Sequence, residues 1–184
     1  RLTCMLKGLL KKQGLEVRVG DRVRVDAVDP SNATGRITEV LPRHTVLERP
    51  KIANVEVAIV VASCREPDLD VQALDRTLAH AVLAGLTPLV CISKCDLAEN
   101  SDEIARIQVL YQGRLGYPVF LTSIHDPASI QRVQAVIEGK VSVLAGASGV
   151  GKSSLLDVLR PDLKLRVAEV SEKIQRGQHT TRHA

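Results

Sequence analysis

One segment, residues 146–153, constrains the fold of this 184-residue chain more than any other feature. It reads GASGVGKS and matches the pattern G-x-x-x-x-G-K-[S/T] at every fixed position. The apolar run KVSVLAG precedes it, and a helical pattern containing LL and a further leucine follows it. A strand, a glycine-rich turn and a helix in this order predict a loop that wraps a phosphate group. We therefore expect an α/β domain with a mostly parallel sheet.

The residues of this phosphate loop have distinct expected roles. Its glycines let the backbone point N–H groups at a polyphosphate, and the following helix N-terminus favours negative charge. Lys152 is expected to reach the β- and γ-phosphates, and the Ser153 hydroxyl to bind Mg²⁺. The alternative, a plain turn between strand and helix, would not need all four fixed positions. The predicted phosphate-binding residues are Gly146, Ala147, Ser148, Gly149, Val150, Gly151, Lys152, Ser153 and Ser154.

Strands and helices alternate in the chain before this loop. Four apolar runs predict strands buried in a parallel sheet: residues 55–63, 87–93, 117–123 and 140–146. Amphipathic patterns predict helices over residues 71–84, 100–111 and 127–138, and a last helix that ends before Pro161. Asp70 is placed to cap the first helix, and Asn100 with Glu103 fits a capping box for the second. In such a sheet, ligands bind at the carboxyl ends of the strands.

A second motif, Ser93-Lys94-Cys95-Asp96, stands at the end of the second predicted strand. It is similar to the N/T-K-x-D box of GTPases, in which the carboxylate accepts hydrogen bonds from the N1–H and the exocyclic amine of guanine. Adenine offers no such pair of donors. Ser93 replaces the usual Asn, and we expect its shorter hydroxyl to bond the phosphate loop less well. Alone the motif is weak, because Lys and Asp after a strand are common in solvated loops.

The third predicted strand ends in Thr122-Ser123-Ile124, where GTPases present a backbone N–H to guanine O6. Two base-contacting loops and a phosphate loop together favour GTP over ATP. The predicted guanine-binding residues are Ser93, Lys94, Cys95, Asp96, Thr122, Ser123 and Ile124. Both base loops precede the phosphate loop, the reverse of the ordinary GTPase order. This arrangement resembles the circularly permuted GTPases, whose strand adjacency survives because the original termini lie close together.

The first 50 residues form a different pattern. Short alternating strands are predicted within residues 15–19, 21–28, 35–41 and 44–50, which favours a small all-β barrel of the OB type. Ten Lys or Arg residues oppose six Asp or Glu residues in this segment. The excess positive charge suits an RNA-binding face or an ordinary solvated surface. The basic residues concerned are Lys7, Lys11, Lys12, Arg18, Arg22, Arg24, Arg36, Arg43 and Arg49.

Cysteines and hydropathy exclude two other classes of protein. Cys4, Cys64, Cys91 and Cys95 lack disulfide or zinc spacing and are typical of reduced thiols in a cytosolic protein. No apolar run approaches the length of roughly 18 residues that a membrane span requires, so no membrane partner is expected.

The chain as a whole resembles the small ribosomal subunit biogenesis GTPase A family, the ribosome-dependent circularly permuted GTPases. The resemblance rests on VGDRV (19–23), PRHTVLERP (42–50), IANVEVAIVV (52–61), GASGVGKSSLL (146–156), VSEKI (170–174) and GQHTTRH (177–183). It implies an OB domain over residues 1–50 that binds rRNA and a permuted GTPase domain over residues 51–184. Because residues 1–50 contain no aromatic side chain, we expect contact with phosphates and RNA shape rather than base stacking.

The same resemblance makes GQHTTRH the first switch loop. It implies that Thr181, in preference to Thr180, binds Mg²⁺ and that His179 positions the attacking water; a solvent-exposed loop histidine is the alternative for His179. No D-x-x-G sequence follows, and no zinc-ligand cluster follows either. We therefore expect the chain to be truncated after this loop and to hydrolyse GTP weakly or not at all. A zinc site is expected only in the missing C-terminal part.

These features predict a cytoplasmic, monomeric protein that hydrolyses GTP to GDP and phosphate during late maturation of the small ribosomal subunit. Its expected ligands are GTP or GDP with Mg²⁺, and its expected partners are the small subunit and its rRNA. Two alternatives stay open. One is an RNA-binding assembly module that is gated by nucleotide and has little catalysis. The other is an ATP-using P-loop enzyme, in which residues 93–96 form an incidental loop.

Overall fold

The computed structural model describes residues 1–8, 14–48, 50–98 and 101–160, with the side chains of Ser101 and Glu103 left aside. The chain divides into two compact units, Arg1–Val55 and Glu56–Ala184. Several predictions lie outside the described residues: those on Lys11, Lys12, Arg49, the Asn100–Glu103 capping box, His179, Thr180 and Thr181.

The first unit contains two small sheets. Its strands are β1 (Thr3–Leu6), β2 (Val23–Asp29), β3 (Thr34–Val40), β4 (Val46–Leu47) and β5 (Ile52–Ala53). In the first sheet β3 lies between β1 and β2, parallel to β1 and antiparallel to β2. Strands β4 and β5 form an antiparallel pair of their own. The described residues therefore form a three-stranded and a two-stranded sheet, and the closed OB barrel stays a prediction.

The strand predicted at residues 15–19 is wrong. Of this segment only Val19 forms a bridge, to Ile52. The backbone N–H of Arg18 instead donates to the Asp21 carboxylate at 2.7 Å, and Gly20 turns with a left-handed φ of +86°. Turn chemistry overrides the alternating pattern here. The sequence pattern also missed β1, a four-residue edge strand.

The second unit is built on a four-stranded parallel sheet. Its strands are β6 (Val57–Ser63), β7 (Thr87–Ser93), β8 (Val119–Leu121) and β9 (Ser142–Ala145). Their order is β8-β7-β6-β9, and every pairing is parallel. All residues of β6 are buried, as the continuous apolar run predicts for a central strand. The predicted parallel α/β sheet is confirmed, although β8 and β9 are shorter than their apolar runs.

Helices follow the strands at the predicted places. They are α1 (Val71–Leu83), α2 (Ser101–Ile107), which continues as a π-helix (Gln108–Arg114), α3 (Pro127–Ile137) and α4 (Lys152–Leu159). Asp70 caps α1 by accepting from the Ala73 N–H at 2.9 Å, as predicted. The apolar side chains of α3 and α4 pack on β6 and β7, and this contact fixes α4 and the loop before it against the sheet.

No helix within the described ranges is long and apolar enough to cross a membrane.

Candidate functional site

Parallel pairing brings four strand ends to one edge of the sheet. Ser63 at the end of β6 pairs with Ser93 at the end of β7, and β8 and β9 end on either side of them. The loops that leave this edge enclose a cleft with a volume of ≈ 220 Å³. It is lined by Glu66, Ser93, Lys94, Asp96, Leu97, Thr122, Ile124, His125, Ile130, Gly151, Ser154 and Leu155. Five of the seven predicted base-binding residues therefore line one cavity together with Gly151 and Ser154 of the predicted phosphate-binding residues.

Glycine at position 146 is a geometric requirement of the phosphate loop. Gly146 has φ +143°, and a Cβ on it would lie 2.1 Å from the carbonyl oxygen of Val61 in β6. No side chain fits between the loop and the central strand at that distance. Gly149 and Gly151 also have positive φ, at +79° and +88°. The glycines therefore let the loop turn sharply while it lies against β6.

The loop leads directly into the N-terminus of α4. The helical hydrogen bonds begin with the Leu155 N–H donating to the Gly151 carbonyl at 2.9 Å. The N–H groups of the first turn before that bond point out of the helix end, where they favour an anion. Lys152 Nζ donates to the carbonyls of Gly146 at 3.0 Å and Ala147 at 2.5 Å, so its ammonium lies over the loop. Ser153 is half-buried in the same turn.

Ser93 connects the base box to the phosphate loop. Its hydroxyl lies 2.6 Å from the carbonyl oxygen of Val150 and 3.2 Å from that of Ala62, and the residue is buried. The serine hydroxyl does bond the phosphate loop, and the comparison with an asparagine at this position stays a prediction. The short side chain suffices because the end of β7 lies directly beside the loop.

Lys94 reaches across the same edge. It has a left-handed backbone conformation, with φ +56°. Its Nζ donates to the carbonyl of Gly149 in the phosphate loop at 3.0 Å and to the carbonyl of Glu66. The ammonium group therefore joins the base box, the phosphate loop and the loop that follows β6.

Asp96 is an exposed carboxylate at the wall of the cleft, in a short 3₁₀ turn that spans Cys95–Leu97. A hydrogen bond with the Ser123 side chain is the main cause that lowers the pKa of Asp96, and the charge of His125 adds to it. Asp96 is thus an ionised hydrogen-bond acceptor at neutral pH. The second base loop supports it directly, since Ser123 belongs to that loop.

Two of the predicted base-binding residues serve chiefly to hold the loops together. The Cys95 N–H donates to the Thr122 carbonyl at 3.1 Å, and the Thr122 hydroxyl donates to the Ile92 carbonyl at 3.1 Å. Burial raises the pKa of the Cys95 thiol to about 11, so it stays a neutral thiol. Ile124, by contrast, is half exposed at the cleft.

Sequence reasoning missed two cleft residues. His125 directly follows the predicted loop 122–124, and the loop motif gave the only available signal for it. Glu66 lies between β6 and α1, in a segment that matches no motif. Its carbonyl contacts Lys94, 28 positions away in sequence, and no local pattern encodes such a contact.

Among the described residues, no group of three or more His, Cys, Asp or Glu side chains is placed to hold a metal ion. A magnesium ion carried by a polyphosphate does not need such a group, because phosphate oxygens and water supply most of its ligands. Ser153, whose hydroxyl is predicted to bind Mg²⁺, follows Lys152 in the first turn of α4 and is half-buried.

The fold and the cleft define a P-loop nucleotide-binding domain in which the base box precedes the phosphate loop along the chain. A solved structure described as YloQ, a circularly permuted GTPase, matches 88% of this chain with a TM-score of 0.75 and 35% identity. Residues 40–184 match the RsgA GTPase family, and the chain belongs to this family. The resemblance found in the sequence motifs is confirmed.

Curated relatives agree across nearly the whole chain. The small ribosomal subunit biogenesis GTPase RsgA is 41% identical to it in Alkaliphilus metalliredigens and 44% in Geobacillus kaustophilus, over 98% of the chain in each case. The crystal structure of YjeQ from Thermotoga maritima superposes with a TM-score of 0.81 and 35% identity over 90% of the chain. The chain spans 61% of the length of these two relatives, 59% of YjeQ and 56% of YloQ.

Proposed function

We propose that the cleft binds GTP and GDP with Mg²⁺, and that the protein hydrolyses GTP to GDP and phosphate during late maturation of the small ribosomal subunit. One observation carries the nucleotide assignment. The hydrogen bond between Ser93 and Val150 fixes the base box and the phosphate loop as walls of one cleft. The names of the relatives support the ribosomal role, and a cytoplasmic location is proposed along with that role.

Guanine selection depends on Asp96. Its ionised carboxylate accepts from the N1–H and the exocyclic amine of guanine, whereas adenine presents no matching pair of donors. The Ser123 side chain lowers the pKa of this carboxylate further, which favours its role as an acceptor. The backbone N–H at Ile124 would donate to guanine O6, and the stem of Lys94 would cover the base.

The polyphosphate would lie along residues 146–153 and the first turn of α4. Its negative charge would draw the Lys152 ammonium away from the two loop carbonyls toward the β- and γ-phosphates. The Ser153 hydroxyl would hold Mg²⁺ together with phosphate oxygens. Bound magnesium supplies charge neutralisation for phosphoryl transfer, which otherwise depends on positioning.

Hydrolysis itself is assigned to residues outside the described ranges. We propose that Thr181 adds a second hydroxyl to Mg²⁺ and that His179 positions water, as the family resemblance implies. Closure of this switch loop on an RNA partner would complete the site. A GTPase rate of the full-length protein that is unchanged by added small subunits would contradict that step.

The first unit is proposed to contact rRNA, as the OB domain that the resemblance implies. Of the basic residues singled out in the sequence, Lys7, Arg22, Arg24 and Arg36 are exposed, and Arg24 also pairs with Glu39 at 3.1 Å. Two others are engaged inside the unit, since Arg18 pairs with Glu48 at 2.8 Å and Arg43 pairs with Asp21 at 2.7 Å. Fewer basic side chains are therefore available to contact RNA than the sequence count indicates.

Nucleotide competition tests the proposed function. The chain is loaded with fluorescent GDP in the presence of Mg²⁺, and unlabelled GTP, GDP and ATP are titrated against it. GTP and GDP should displace the probe at far lower concentrations than ATP, and Lys152→Ala should abolish loading. Arg132→Ala, which changes an exposed residue on α3, is the control. Equal displacement by ATP would favour the ATP-using enzyme instead.

A further inference from the structure

The loop between β6 and α1 contributes Glu66 to the cleft and contacts Lys94, although it matches no known motif. In the described part of the second unit, Glu66 and Lys94 are the two non-glycine residues with left-handed backbones, at φ +53° and +56°. Side chains with a Cβ adopt this conformation at a cost of roughly 1 kcal/mol, and such positions concentrate at functional sites. The two residues contact each other, because Lys94 Nζ donates to the Glu66 carbonyl.

Hydrogen bonds to neighbouring residues restrain the segment that carries the Glu66 carbonyl. Ser63, which is 1% exposed at the end of β6, donates its hydroxyl to the Pro67 carbonyl at 2.7 Å. The Cys64 N–H donates to the Ser93 carbonyl at 2.9 Å and continues the strand pairing past the end of β6. A buried hydroxyl and a backbone hydrogen bond therefore anchor the segment 64–68, on which the Glu66 carbonyl sits.

Lys94 in turn acts on the phosphate loop. Its ammonium donates to the Gly149 carbonyl at 3.0 Å as well as to Glu66. One cation therefore holds carbonyls from two different loops, and its own backbone belongs to the base box. If the Glu66 carbonyl moves, the Lys94 ammonium can shift with it and change its contact with the Gly149 carbonyl.

We propose that Ser63 and segment 64–68 are positioning elements that slow nucleotide release, by holding Lys94 where it braces the phosphate loop against the base box. This inference rests on the proposed nucleotide site and adds residues to it. Loss of the Ser63 hydroxyl would free the Pro67 carbonyl and let the Glu66 carbonyl move. Lys94 would then lose one of its two acceptors, and the phosphate loop would open more readily.

The test measures dissociation of fluorescent GDP from the 184-residue chain and its variants. Ser63→Ala should release GDP about 3- to 10-fold faster, the range expected for the loss of one hydrogen bond. Ser142→Ala is the matched control, because that hydroxyl bonds the Lys140 carbonyl at the opposite end of the sheet. Ser142→Ala should release GDP at the wild-type rate.

A double-mutant cycle separates positioning from general destabilisation. Lys94→Met alone should speed release, and Ser63→Ala should add nothing further in the Lys94→Met background, because its effect passes through Lys94. Additive effects, or an unchanged release rate in Ser63→Ala, would overturn the inference. A wild-type chain that holds neither GDP nor GTP would instead contradict the proposed function.

Glu66→Val provides a second variant in case Ser63→Ala does not fold. The position is exposed, and a β-branched side chain strongly disfavours the left-handed backbone angle of Glu66. The valine should therefore displace the carbonyl that accepts from Lys94, and GDP release should again be faster than wild type. Glu66→Gly, which also removes the carboxylate but allows the same backbone angle, is the control. Equal release rates in the two variants would count against the inference.

Discussion

Gly146 shows how far a single residue can be fixed by its surroundings. Its backbone angle of +143° and the 2.1 Å between an added Cβ and the Val61 carbonyl exclude any side chain. Gly139 has a positive φ of +71° as well, but an added Cβ there meets nothing within 4 Å. An alanine at position 146 would therefore meet both a steric clash and backbone strain, whereas an alanine at position 139 would meet backbone strain alone.

We predict that Gly146→Ala lowers the free energy of unfolding by roughly 2–4 kcal/mol, because the loop or β6 must move. Gly139→Ala should cost only about 1 kcal/mol, the strain of a left-handed alanine. Urea titrations of both variants measure the difference. Equal costs would show that the phosphate loop is not packed against β6 as described.

Asp21 is a carboxylate of the first unit whose side chain is only 1% exposed. Its carboxylate accepts from Arg43 Nε at 2.7 Å, from a second Arg43 nitrogen at 2.8 Å and from the Arg18 N–H at 2.7 Å. The hydrogen bonds from Arg43 are the main cause that lowers the pKa of Asp21. A carboxylate with a lowered folded-state pKa stabilises the fold above its ordinary value of 3.8, and this stabilisation is lost as the pH falls below it.

Asp21→Asn should therefore destabilise the first unit by about 1–3 kcal/mol at pH 7. The gap between variant and wild type should narrow as the pH falls from 4 toward 2, because the wild type then loses the same charge. Asp26→Asn, an exposed carboxylate on β2, should stay within about 0.5 kcal/mol. A gap that is constant with pH would contradict this account.

At the scale of elements, a buried hydroxyl ties the π-helix to α1. Tyr111 is fully buried, and its hydroxyl donates to the Asp75 carboxylate at 2.7 Å. Burial and the nearby carboxylate both raise the pKa of Tyr111, so the hydroxyl stays protonated as a donor. The bond spans 36 positions in the sequence and fixes one helix against another.

Tyr111→Phe should cost about 1 kcal/mol of unfolding free energy, since one hydrogen bond is lost while Asp75 remains exposed to water. Tyr117→Phe is the comparison, because Tyr117 contacts the π-helix through its backbone N–H. Thermal or urea unfolding of the two variants measures their free energies of unfolding. An equal loss in both would mean that the Tyr111 hydroxyl contributes nothing specific.

Element by element, sequence reasoning succeeded where one local pattern determines the structure. Strand β7 has the predicted bounds, and Asp70 caps α1 as expected. Parallel pairing predicted that the base loops and the phosphate loop meet at one edge of the sheet, whereas the bond of Ser93 to the phosphate loop was expected from the GTPase motif. Residues 15–19 were misread because a carboxylate-capped turn uses the backbone N–H of Arg18, which a strand would need. Glu66 was missed because its place depends on tertiary contacts.

At the scale of the whole molecule, one unit is proposed to bind nucleotide and the other RNA. Exposed arginines on the first unit would contact phosphates, and such contacts release counterions. Binding should therefore weaken steeply with salt. Arg22 and Arg36 are exposed candidates for these contacts, whereas Arg43 is committed to Asp21.

A plot of log K, the association constant for RNA, against log salt has a negative slope. In the double variant Arg22→Ala/Arg36→Ala this slope should be less steep by roughly 1–2, because up to two phosphate contacts are lost. Filter binding of an rRNA fragment at several salt concentrations measures this slope. Arg132→Ala in the second unit should leave it unchanged. Tight, salt-insensitive binding to single-stranded oligonucleotides would contradict the proposed mode of RNA contact.

The central claim is that Asp96 makes the cleft specific for guanine, and a change of base preference tests it most directly. Asp96→Asn replaces the acceptor for the guanine amine with a donor, which suits the C2 carbonyl of xanthine. We predict that the variant loses roughly 10- to 100-fold in GDP affinity and gains affinity for xanthosine diphosphate. Unchanged GDP affinity, with no gain for xanthosine diphosphate, would show that Asp96 does not read the base.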